Sequence, residues 1–127
     1  MFEVTVEETF AAGHALRGYR GKCENVHCHN YRVQLTMEGA ELDAIGLLVD
    51  FVEVKKMIHT VVDYLDHRFI NDLPPFDKVN PSAENLAKYF YDEISASLTP
   101  SVCLRQARIW ETDVTSTTYR PNARRLT

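Results

Sequence analysis

The sequence predicts an α+β fold with elements in the order β-β-α-α-β-β. Two-residue alternation of apolar and polar side chains marks strands near the start, and two apolar stripes at helical spacing follow in the middle. Proline and glycine then punctuate the joins. In the first strand Phe2, Val4 and Val6 alternate with Glu3, Thr5 and Glu7. A Gly-rich, basic segment runs from Gly13 to Lys22. The clearest strand follows, with Tyr31, Val33, Leu35 and Met37 alternating with Arg32, Gln34, Thr36 and Glu38. Gly39 to Gly46 supplies a turn. A helix starts near Asp50, which with Glu53 forms a capping-box pattern. Phe51, Val54, Ile58, Val61, Val62 and Leu65 make its buried stripe, and it ends at Asp66–His67 before Pro74 and Pro75. The second helix opens after Pro81 with Ser82 as N-cap, turns Leu86, Phe90, Ile94 and Leu98 inward, and is closed by Pro100. Extended segments at Val102 to Thr112 and Thr115 to Arg120 complete the order.

Bulk properties narrow the function classes. At 127 residues the chain reads as one domain, 1–127, with enough length for a real core. A net charge of -4 gives no electrostatic reason to bind nucleic acid or an anionic membrane. MFEVTVEETF lacks the basic and apolar regions of a signal peptide, and no apolar run is long enough to span a bilayer. Cys23, Cys28 and Cys103 are an odd number and do not resemble a disulfide framework, so a reducing, cytoplasmic location is expected. Two helices cover only one face of such a sheet, and its edges are left to pair with other subunits. A homo-oligomer closed by strand pairing is therefore expected, and a strictly monomeric species in sedimentation would contradict it.

The chemistry concentrates in histidines. His27 and His29 are separated by one residue, so on a strand both imidazoles point one way and Cys28 the other. The pair shares the parity of Tyr31, Val33 and Leu35. His14, from another strand end, completes a three-nitrogen pocket for Zn²⁺ with one tetrahedral position open for catalysis. Two plainer alternatives stand beside this one. The three are ordinary histidines, or Cys23, Cys28, His27 and His29 form a structural zinc site; strand parity argues against the second.

Cys23, beside Arg20 and Lys22 and near a dication, is a candidate nucleophile or base of lowered pKa; the alternative is a small buried residue. Cys103 has no such neighbours and reads as core. Asp66–His67 is a candidate acid–base pair, in which the carboxylate fixes the imidazole tautomer; the alternative is a histidine capping helix carbonyls. His59 with Asp63 reads as a solvated surface pair. Glu111, in a half-buried segment, either pairs bidentately with a ligand bearing adjacent N–H donors or is an exposed strand glutamate. Arg17, Arg20 and Lys22 are candidates for an anionic group, or form an ordinary basic loop.

Several segments, taken together, resemble one enzyme family over essentially the whole chain. They are Phe10–His14, Cys23–Tyr31, Gly46–Phe51, Leu65–His67, Asn80–Leu86 and Glu111–Thr112. The family is that of the 6-pyruvoyl-tetrahydropterin and 6-carboxy-tetrahydropterin synthases. The resemblance implies the tunnelling fold: a four-stranded antiparallel sheet with two helices on one face, closing into an oligomeric barrel as a trimer or hexamer. It implies active sites at subunit interfaces and a pterin triphosphate substrate, 7,8-dihydroneopterin triphosphate. Position by position, His14, His27 and His29 match the zinc ligands and Cys23 the catalytic cysteine. Asp66 and His67 match the catalytic pair, and Glu111 the glutamate that anchors the pterin.

Two positions depart from the pattern. Cys28 stands where the family usually has Gly, and Glu24 occupies the place of a glutamate that replaces the cysteine in a branch forming 6-hydroxymethyl-dihydropterin for folate. The activity implied is a zinc-dependent lyase forming 6-carboxy-tetrahydropterin, with loss of triphosphate and acetaldehyde, in the queuosine (7-deazaguanine) pathway. The alternatives are the pyruvoyl synthase reaction, side-chain cleavage using Glu24, and a non-enzymatic zinc-stabilised binding module.

Overall fold

The computed structural model describes residues 1–19 and 25–122. Alternation carries the first strand well past Val6. β1 spans Phe2–His14 and pairs antiparallel with β2, His27–Gly39, in an unbroken register from Phe2 opposite Gly39 to His14 opposite His27. Helices α1 (Phe51–Leu65) and α2 (Ala83–Ser95) follow, with a short 3-10 turn at Ile70–Asp72 between them. Strands β3 (Cys103–Thr112) and β4 (Thr115–Tyr119) complete a four-stranded antiparallel sheet in the order β1-β2-β3-β4. None of the described helices is long and apolar enough to cross a membrane.

One core joins the helices to one face of the sheet. Val6, Phe10, Tyr31, Val33, Leu35 and Ile109 from the strands bury against Ile58, Leu65, Leu86 and Phe90 from the helices. Both helices begin on their expected caps. Asp50 Oδ1 accepts the Val52 N–H at 2.9 Å and Ser82 Oγ accepts the Asn85 N–H at 3.1 Å, contacts worth about 1 kcal/mol each. Glu53 does not complete a capping box; its carboxylate lies 3.6 Å from Lys56 Nζ.

Three expectations are corrected. Phe51, at the first position of α1, is exposed, and the buried stripe starts at Val54. Cys103 is exposed instead of core. Thr36 pairs with Gln106 but Met37 with Leu104, so Arg105 is an extra residue in β3. That bulge inverts the parity of everything before it, sending Leu104 inward and Cys103 outward. His59 Nε2 contacts Glu8 Oε2 at 3.2 Å, because α1 crosses β1, and does not form the expected pair with Asp63. The β1 edge is also partly covered by its own chain. His67 N–H donates to Ala11 O at 2.6 Å and Gly13 N–H to Arg68 O at 3.0 Å, leaving Phe2–Phe10 and β4 as the open edges among the described residues.

Candidate metal centre

The β1–β2 register builds the centre. On the face that meets the helices, consecutive cross-strand pairs are Phe10–Tyr31, Ala12–His29 and His14–His27. The apolar ladder of the core therefore ends in imidazoles. The His14 and His27 rings meet edge to face at 4.5 Å, and the His27 and His29 rings at 4.7 Å. Cys28, of opposite parity, is exposed and outside the cluster, as the strand periodicity predicts. A site using Cys28 with the two flanking histidines is thus not formed.

Backbone carbonyls decide where the imidazole protons sit. His14 Nδ1 lies 2.7 Å from Pro81 O and His27 Nδ1 lies 2.8 Å from Asn25 O. A carbonyl only accepts, so each Nδ1 carries the hydrogen and each neutral ring presents a bare Nε2 lone pair. Those two Nε2 atoms are 3.0 Å apart. Two lone pairs at that distance repel unless a cation lies between them. Tetrahedral ligands at metal–nitrogen distances of about 2.0–2.1 Å stand about 3.3 Å apart, so the spacing fits a divalent metal. Burial holds the His29 pKa below the ordinary imidazole value, with Glu111 opposing and the other two histidines reinforcing the shift. A neutral ring is what a metal requires.

Glu111 joins the cluster. Its Oε1 lies 3.0 Å from His14 Nε2 and 3.3 Å from His29 Nε2, and ligand atoms of the four residues all fall within 4.8 Å of one another. The sequence places Glu111 on β3 but gives no sign of this proximity. It arises because Arg32 pairs with Trp110, which puts Glu111 next to Tyr31 on the helix-facing side. On its other flank Glu111 is the extra residue between Trp110, opposite Ser116, and Thr112, opposite Thr115. Such bulges re-aim side chains beside functional sites. The adjacent His14 ring holds the Glu111 carboxyl below its usual range, against an opposing effect of burial. Glu111 also lines a cleft of about 180 Å³ with Leu16, the first turn of α2 and Thr115–Thr117 of β4.

Asp66 and His67 form the expected pair at a separate place. Asp66 caps the C-terminus of α1, and its Oδ1 accepts the Ala11 N–H at 2.9 Å while His67 Nδ1 donates to Oδ2 at 2.9 Å. The Ala11 N–H is the main reason the Asp66 carboxyl titrates below its ordinary value; burial opposes it and His67 adds to it. With Nδ1 committed, Nε2 of His67 is left for proton exchange, and the side chain is 81% exposed. His67 has φ 60°, a left-handed conformation uncommon outside glycine and associated with functional sites. It lines a cleft of about 390 Å³ with Ala11, Gly13, Val26, Cys28 and Phe69. Among the described residues, no hydrogen bond or ion pair joins Asp66–His67 to the three imidazoles.

Cys23 and Glu24 lie outside the described residues, as do Arg20 and Lys22. Arg17 is not available for an anion in the way expected: its Nη2 donates to Asn71 O at 3.2 Å and Phe76 O at 2.6 Å. Asn71 and Asn80 hold the same segment, each pairing through its amide with both backbone groups of one residue, Ala15 and Arg17 respectively, at 2.8–2.9 Å. These side-chain clamps fix the chain just after His14 and have no local sequence signal.

Comparison with known proteins agrees with this architecture. The family model described as 6-pyruvoyl tetrahydropterin synthase matches residues 3–122. A 6-carboxy-5,6,7,8-tetrahydropterin synthase of Bacillus subtilis is 34% identical, covering 94% of this chain and 86% of its own. A 6-pyruvoyl tetrahydrobiopterin synthase of Poecilia reticulata is also 34% identical, covering 92% and 88%. The structure of Caenorhabditis elegans 6-pyruvoyl tetrahydropterin synthase superposes with a TM-score of 0.82 at 31% identity, covering 94% of this chain and 96% of that one.

Proposed function

The chain belongs to the 6-pyruvoyl tetrahydropterin synthase family, and from that premise we propose that it is a zinc-dependent lyase acting on 7,8-dihydroneopterin triphosphate. The product is 6-carboxy-5,6,7,8-tetrahydropterin, formed with loss of triphosphate and acetaldehyde, a step toward 7-deazaguanines. The observation that carries this reading is the convergence of His14, His27 and His29 on one point, with two of the three tautomers fixed by backbone carbonyls.

His14, His27 and His29 would hold the zinc. A zinc bound there supplies Lewis-acid charge at the side-chain oxygens of the substrate, which makes the adjacent C–H groups more acidic. Glu111 accepts from the aminopyrimidine N–H edge of the pterin, a role supported by its place between the imidazoles and the cleft beside α2. His67, oriented by Asp66, gives and takes protons at Nε2. Cys23 acts as the second base; its assignment rests on sequence position alone.

The site is completed by another copy of the chain. The imidazoles occupy the helix-facing side of β1 and β2, whereas His67 lines a cleft with Gly13 and Cys28 of the other parity. An assembly through the open edges of β1 and β4 brings one copy's His67 to its neighbour's cluster, and the single domain is the unit of that trimer or hexamer. The pyruvoyl synthase reaction is the second reading, favoured by relatives of both names at equal identity. Incubating the zinc-loaded protein with 7,8-dihydroneopterin triphosphate and weighing the pterin formed separates the two. A 6-carboxy product with acetaldehyde supports the first reading. A 6-pyruvoyl product establishes the second, a 6-hydroxymethyl product points to Glu24, and no turnover overturns the enzyme assignment.

A further inference from the structure

Tyr31 is fully buried on the helix-facing side of β2, yet its hydroxyl has no hydrogen-bond partner among the described residues. The fold does better for two other tyrosines. Tyr64 donates to Pro74 O at 2.7 Å and Tyr91 to Leu104 O at 2.9 Å. Packing does not explain the exception. The Tyr31 ring stacks on Phe10 at 5.0 Å and 16°, a contact a phenylalanine would make equally well. A buried hydroxyl left unpaired is a cost that an isosteric Phe avoids.

Its neighbours suggest when the hydroxyl is used. The ring stands edge-on to His14 at 5.9 Å and to His29 at 5.5 Å. Since Arg32 pairs with Trp110, Tyr31 and Glu111 are the next residues along the same two strands, on the same face. Side chains so placed are within contact distance across a sheet. Glu111 Oε1 now sits 3.0 Å from His14 Nε2 and 3.3 Å from His29 Nε2. A metal would claim those nitrogens, so binding it leaves that oxygen without either contact, on a carboxylate that is only 29% exposed. His29 Nε2 is itself the other orphaned atom of the cluster.

We propose that Tyr31 is a positioning residue: its hydroxyl donates to the Glu111 carboxylate once metal has taken the imidazole nitrogens, and so aims the second oxygen at the ligand. The inference rests on the metal and pterin reading above. It is tested with Tyr31→Phe, Glu111→Gln and the double variant in the full chain, measuring zinc content, the midpoint of thermal unfolding without metal, and neopterin affinity by fluorescence with zinc. Zinc content and the metal-free midpoint are expected to equal or exceed wild type in Tyr31→Phe, while neopterin affinity falls about tenfold. In the Glu111→Gln background the Tyr31→Phe change is expected to cost nothing more. Wild-type affinity in Tyr31→Phe, a lowered metal-free midpoint, or an additive loss in the double variant overturns the proposal. Failure of the wild-type protein to bind zinc or neopterin overturns the underlying reading as well.

Discussion

His14 and His27 face each other in the last cross-strand pair of β1 and β2, and their Nε2 atoms stand 3.0 Å apart. Each ring spends its Nδ1 hydrogen on a backbone carbonyl, so the short contact is between two electron pairs. The strands carry that geometry out of an extensive apolar core. Zinc at about 100 times its dissociation constant should therefore stabilise the fold by about 2.7 kcal/mol, and chelation should remove that increment without unfolding the chain. Circular dichroism before and after chelation checks this. A random-coil spectrum on chelation would favour a metal-dependent binding module.

Replacing Cys23 by Ala should leave zinc content intact and lower kcat by roughly 10²–10⁴-fold, the loss associated with one proton-transfer group. Metal analysis and steady-state kinetics on the same preparation decide it. Full activity refutes the role assigned to Cys23, and loss of zinc makes it a ligand.

Glu111→Gln separates anchor from ligand. Loss of a charge-assisted contact to the pterin should raise KM roughly 10–10²-fold, with zinc retained. Zinc lost in parallel with activity would instead make Glu111 the fourth metal ligand, since its Oε1 already lies 3.0 Å from His14 Nε2.

Asp66 gives the acid limb of stability a definite sign. Its folded pKa lies below the ordinary 3.8, so the folded state binds its proton less readily than the unfolded chain does. Its contribution is present above pH 3.8 and disappears as pH falls through the lower folded value. Asp66→Asn should flatten that part of the profile of unfolding midpoint against pH. An unchanged acid limb in the variant would show that the Ala11 and His67 contacts carry no net stability.

The parts legible in the sequence were those fixed by local period. Two-residue alternation placed His27 and His29 on the inward face with Tyr31 and sent Cys28 outward, and caps at Asp50 and Ser82 set both helix starts. What escaped depends on pairing between distant segments. The bulge at Arg105 turned Cys103 outward, and the β2–β3 register brought Glu111 to the imidazoles. Asn71 and Asn80 clamp the segment holding Arg17 from more than 50 residues away. Periodicity carries no information about such contacts.

X-ray absorption at the zinc edge of the loaded protein tests the central claim most directly. Three imidazoles with an open position predict a first shell of nitrogen and oxygen at about 2.0–2.1 Å, with the multiple scattering typical of histidine. A sulfur shell at about 2.3 Å would place a thiolate on the metal and contradict the account.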